Sequence, residues 1–174
     1  MDPIKQKLDE LFKEQDANWE RYRNLLPDSE EVELIVLKGH LIIEEMLYRL
    51  ATKLAHNPEH LDAARLTFKQ LCCVVRSQLF LPLMDTGWDA IAVLNSLRNK
   101  LAHNLEPRDI DKHILELERL CKSDKRLPAD YKPPDSAGGK AKVAICFIIG
   151  QLSVVSAVSE FIERHRKVRF EKST

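Results

Sequence analysis

An all-α fold, an antiparallel bundle of about five helices, is what this sequence predicts, on three observations. Glycine is scarce, with 5 in 174 residues, while Leu, Ala, Glu and Lys abound and β-branched runs are few, a composition that favours helices over sheets. Apolar residues recur at helical spacing in one stretch after another. Between the stretches stand Pro, Gly, Asn and Asp, which stop one helix and cap the next. A chain of 174 residues can bury one sizeable core but is short for two, so residues 1–174 are read as a single helical domain.

The N-terminal helix, within residues 1–27, opens on Asp2-Pro3 and spaces Ile4, Leu8, Leu11 and Phe12 at helical intervals. Pro27-Asp28-Ser29-Glu30 breaks it and offers caps to a strongly apolar helix from about Glu31 to Leu54, which Ala55-His56-Asn57-Pro58 ends. A short helix from about Thr67 to Gln78 follows, and the stretch from Pro82 to Gly87 turns the chain again. From Trp88 to Ala102 there is no Gly or Pro, and Ala90, Ile91, Val93, Leu94, Leu97 and Leu101 form an apolar stripe that gives way to a loop at His103. Asp109 to Cys121 resumes the spacing and closes a core of residues 31–121. Residues 122–140 collect Pro128, Pro133, Pro134, Gly138 and Gly139 and read as a loop, before a last helix within 141–170.

That last helix is apolar enough from Val143 to Ile162 to raise the question of a membrane span, but Gln151, Ser153, Ser156, Ser159 and Glu160 favour a central bundle helix. It finishes in Glu163-Arg164-His165-Arg166-Lys167, cations that suit the negative end of the helix dipole. Lys and Arg number 27 and Asp and Glu 27, so no global positive field gathers nucleic acid, and any RNA contact must be local. Cys72, Cys73, Cys121 and Cys146 sit in apolar stretches without CxxC spacing, which predicts reduced core thiols and, with no targeting peptide ahead of them, a cytoplasmic protein. His56 and His60 are four apart, yet Pro58 between them disfavours the helix that a metal pair would need. No metal, cofactor or membrane partner is expected, and phosphate-loop, nucleophile-elbow and HExxH motifs do not occur.

Two charges stand on apolar faces. At about 100° per residue, Lys38, Glu45, Arg49 and Thr52 share one polar stripe of the second helix, whereas Glu44 falls beside Leu37, Leu41, Leu47 and Tyr48. Arg98 likewise falls among Ile91, Leu94, Leu101 and Ala102. An unpaired buried charge is costly, so Glu44 and Arg98 are predicted to meet as a buried or half-buried pair. Asn99 and His103 follow Arg98, and a cation, an amide and an imidazole at one helix end suit a phosphate.

The stretch Leu94-Asn95-Ser96-Leu97-Arg98-Asn99-Lys100-Leu101-Ala102-His103-Asn104 resembles the signature of the HEPN superfamily: Arg, a polar residue, three more, then His. His40-Leu41-Ile42-Ile43-Glu44-Glu45-Met46-Leu47 resembles the family's earlier helix, with its acidic residue facing that motif, and the similarity spans about Glu31 to Glu118. It implies an HEPN-like helical bundle, commonly a homodimer, and a metal-independent endoribonuclease of toxin–antitoxin or phage-defence systems, with RNA and an antitoxin as partners. Arg98 and His103 would be catalytic, Asn99 a polar helper, and Glu44 the residue orienting Arg98. Where many active members carry a tyrosine after the histidine, this chain has Asn104-Leu105-Glu106-Pro107. The Leu94 to His103 helix and Thr67-Phe68-Lys69-Gln70 are also similar to the mannitol operon repressor-like family, which implies a regulatory protein that binds a protein partner and catalyses nothing.

Overall fold

The computed structural model describes residues 3–79, 85–124 and 131–171, without the side chains of 3–5, 7–9, 11–12, 14–16 and 163–171. Among the described residues there are seven helices and no strand: α1 (Pro3–Asn24), α2 (Val32–Leu54), α3 (Glu59–Ala64), α4 (Phe68–Gln78), α5 (Asp85–His103), α6 (Ile110–Lys122) and α7 (Ala137–Glu171). The all-α class is as predicted, with more helices than the five or so expected. The expected apolar spacing of α1, the turn at Pro82, the loop proline Pro128 and the side chains of the basic run from Glu163 to Lys167 lie outside the described residues.

The bundle is organised around α7, which packs against α1, α2, α5 and α6. Its Ala141, Ala144, Ile145, Ile148, Ile149, Leu152 and Val155 recur every three or four residues and are buried. Each fully buried Ile or Leu contributes about 1.5–3 kcal/mol, and α2, which buries Ile35, Val36, Ile42, Ile43, Met46, Leu47 and Leu50, supplies the matching face of the core. Residues Ala137–Ile162 are long and apolar enough to cross a membrane, yet 56% of the most apolar window is covered within the bundle. Two polar side chains of α7 find partners there: Gln151 Nε2 donates to Asp124 Oδ2 at 2.7 Å, and Glu160 pairs with Lys53 of α2, whereas the buried Ser153 Oγ has no hydrogen-bond partner among the described residues.

A local signal sets the start of α4. Thr67 starts α4 with a capping box, its Oγ1 accepting from Gln70 N at 3.4 Å while its own N donates to Gln70 Oε1 at 2.9 Å. Two elements depart from expectation. The six-residue α3 begins directly after Pro58, buries none of its residues and so carries no apolar periodicity to betray it. Helix α7 begins at Ala137, inside the expected loop, because its glycines serve contact: a Cβ on Gly138 would lie 2.4 Å from the carbonyl oxygen of Glu30. Ser136 Oγ, which accepts from Gly139 N at 3.0 Å, also donates to the Glu30 carboxylate, so the turn before α2 is clasped to the start of α7. Gly138→Ala pits a Cβ against backbone rather than a flexible side chain, and a loss of about 1–3 kcal/mol is expected from such overpacking. A denaturant midpoint unchanged from wild type would contradict it.

Candidate functional site

The last turns of α5 carry the motif. Ala90, Ile91, Leu94 and Leu97 are buried against the bundle, which turns Asn95, Arg98, Asn99 and His103 toward the surface or its edge. Helix α5 ends at His103, where Asn104 Nδ2 donates back to the Lys100 carbonyl at 2.8 Å, and Leu105 stands wholly in solvent. Arg98 is half-buried, while Asn99 and His103 are exposed. Asn99 and His103 are four residues apart and so share a face, and Arg98 Nη1 donates to Asn99 Oδ1 at 3.2 Å. A helix C-terminus offers carbonyl oxygens rather than N–H groups, so an anion here must be held by side chains. Arg98, Asn99 and His103 can do so, with Lys100 in the same turn loosely paired to Asp109 at 3.8 Å.

The predicted Glu44–Arg98 ion pair does not form: no contact within 4.0 Å joins these two described side chains. The inference rested on Leu37 and Leu41 marking a core face, but they are 38% and 58% exposed, so Glu44 faces a half-open groove beside Tyr48, Leu61 and Arg65. Partial hydration removes the need for a countercharge. What joins the two helices instead is His40, to which no role was assigned from sequence. Its buried Nε2–H donates to Asn95 Oδ1 at 3.1 Å, and its ring lies 4.1 Å from that of Phe68, at the start of α4. His40 is one turn before Glu44 on α2, and Asn95 one turn before Arg98 on α5. The signal was therefore present as two pairs, spaced i,i+4 and i,i+3.

Burial holds the imidazole of His40 below its usual pKa; the Asn95 hydrogen bond and the Glu44 charge oppose this, and the Arg98 charge reinforces it. The sign of the linkage follows: with the folded pKa below the unfolded one, the unfolded chain takes the proton first as pH falls below about 6.5. This contribution to stability is full above that pH and declines below it, by at most about 1.4 kcal/mol per pH unit. Urea unfolding at pH 7.5 and 5.5, kept above the carboxylate range, should show a drop that His40→Gln reduces. Equal drops in both proteins would refute the assignment.

Other candidates are less organised. Cys121 is buried and Cys72 half-buried, and burial pushes both thiols up to about 12; Cys146, half-buried, is also raised. Cys73 departs from the core reading, being exposed. His56 and His60 are both exposed, and among the described residues no three His, Cys, Asp or Glu side chains cluster as metal ligands would. His113 is held at the start of α6, its Nδ1 donating to the Asp109 carbonyl at 2.9 Å and its Nε2 lying 3.3 Å from Ser96 Oγ. Asp109 takes a left-handed backbone, φ 63°, and its carboxylate, lowered in pKa by the hydrogen bond from Lys112, pairs with Lys112 at 2.8 Å and Lys100 at 3.8 Å. Fold and site thus define an all-helical protein with a polar seam between two helices and a cationic, imidazole-bearing helix end. Comparison with protein families, curated proteins and solved structures found no match.

Proposed function

We propose that this chain is an HEPN-type, metal-independent endoribonuclease that works as a homodimer in the cytoplasm, as the toxin of a toxin–antitoxin or phage-defence system with an antitoxin as its partner. The observation that carries this reading is the placement of Arg98, Asn99 and His103 together at the exposed end of α5, beside the His40–Asn95 seam to α2. In the reaction the ribose 2′-oxygen attacks the adjacent phosphorus and the bond to the 5′-oxygen breaks. His103 takes the 2′ proton or delivers one to the leaving oxygen, and with two motifs in a dimer the two tasks fall to two histidines. Arg98 and the Asn99 amide hold the charged non-bridging oxygens. The products are a 2′,3′-cyclic phosphate and a 5′-hydroxyl. Glu44 acts at one remove: it is one turn from His40 on α2, and His40 holds Asn95, one turn before Arg98 on α5.

The dimer is supported by Leu34, Leu37 and Leu41, which are 39%, 38% and 58% exposed and lie within about 60° of one another on α2, next to Glu44. The test is incubation of single-stranded RNA with the purified protein in excess chelator, followed by analysis of the new ends. Intact RNA in the presence of folded dimer would sink the reading. The missing Glu44–Arg98 pair favours a second reading, a non-catalytic regulator similar to the mannitol operon repressor-like family. In that case Arg98→Ala and His103→Ala would leave binding to the protein partner unchanged.

A further inference from the structure

A cleft of about 330 Å³ opens between α4 and α5, and its end nearest the motif is Asn95, the residue that His40 grips. Its apolar lining comes from Phe68, Trp88 and Ile91, its charge from Lys69 and Arg76 of α4, and no carboxylate lines it. The Arg76 guanidinium sits 5.7 Å from the centre of the Trp88 ring, placing a planar cation over an aromatic face. Asn95 spends its carbonyl on His40, and its amide N–H groups have no partner among the described residues. Trp88, Asn95 and Asn99 fall on one side of α5 at about 100° per residue, and the rise from Asn95 to Asn99 is about 6 Å. Cleft and Asn99 therefore follow one another along a single helix face, separated by what one nucleotide of an extended strand can span, with Arg98 and His103 to either side of Asn99.

We infer that this cleft receives a base of single-stranded RNA next to the cleaved phosphate. The base lies against the apolar lining and the Arg76 plane, the Asn95 amide donates to an acceptor on its edge, and Lys69 and Arg76 neutralise flanking phosphates. A chain with no net charge can bind RNA only through a local arrangement of this kind. An acidic peptide would also meet the two cations, but a docked helix needs a groove for anchors spread over two turns, whereas this volume suits one planar group. The orientation relative to the phosphate rests on the ribonuclease reading; occupancy of the cleft does not.

The chain has two tryptophans, so Trp19→Phe leaves Trp88 as the sole reporter, and His103→Ala added to it prevents turnover. Single-stranded RNA of about seven nucleotides should quench Trp88 saturably, while polyglutamate of equal charge should not. Anisotropy of the labelled RNA on the His103→Ala chain with both tryptophans kept provides a second measurement: Lys69→Gln with Arg76→Gln added should lower the slope of log affinity against log salt by about 1.4, or about 0.7 per lost phosphate contact. Unchanged Trp88 emission on RNA binding, equal quenching by polyglutamate, or an unaltered slope overturns the assignment. If the wild type cleaves RNA and the Lys69/Arg76 variant does so at the same rate and salt dependence, the cleft assignment falls and the ribonuclease stands. If Trp88 responds but RNA stays intact, the reverse holds.

Discussion

His103→Ala is expected to slow metal-independent RNA cleavage by about 10²–10⁴-fold, the usual contribution of a positioned proton-transfer group. Because His103 is exposed at the end of α5, the same change should leave the melting temperature almost where it was. Arg98→Ala should cost about 10²–10³-fold, as for loss of one donor to developing negative charge. Arg98→Lys should recover only part of this, since an ammonium cannot present the planar fork of a guanidinium. Had Arg98 been locked to Glu44 in the core, its removal would have cost about 3–5 kcal/mol of stability. With the Asn99 hydrogen bond its one side-chain partner among the described residues, a far smaller change is expected, and activity and stability become separable. Single-turnover cleavage in chelator and thermal melting of each variant decide the matter. An Arg98→Ala protein that melts far below wild type yet cleaves RNA normally would assign the residue to structure alone.

The helices that bear the motif were readable because their signals are local. Thr67 and Gln70 form a reciprocal cap, and the apolar stripe of α5 runs unbroken from Ala90 to Leu97, so spacing alone placed Arg98 and His103 near a helix end. What escaped depends on contacts distant in sequence. Gly138 and Gly139 look like a loop until the backbone of Glu30 is seen pressed against the first turn of α7. Glu44 looked buried because periodicity reports which residues are apolar, not what covers them. His40 passed unremarked because a histidine has no fixed tendency to core or surface, and its partner, Asn95, lies 55 residues away. The seam between α2 and α5 is thus fixed by a neutral hydrogen bond where an ion pair was expected.

The misread face of α2 leads to the second large effect, on assembly. In the homodimer proposed above, Leu37 and Leu41, exposed in one chain, are covered by a second copy, and a two-fold axis doubles every contact. Burying a leucine fully is worth about 1.5–3 kcal/mol, and these two are already partly covered, so each contributes roughly 1 kcal/mol. Four such leucines in a symmetric pair amount to about 4 kcal/mol, or about three decades in the dissociation constant. Leu37→Glu with Leu41→Glu removes that contribution and sets four added carboxylates against one another beside Glu44. Sedimentation velocity at micromolar concentration should then show a monomer with unchanged helical circular dichroism, and RNA cleavage should disappear with the dimer although Arg98, Asn99 and His103 are untouched. A variant that stays dimeric would move the interface elsewhere, whereas a monomer that still cleaves would show that one motif suffices.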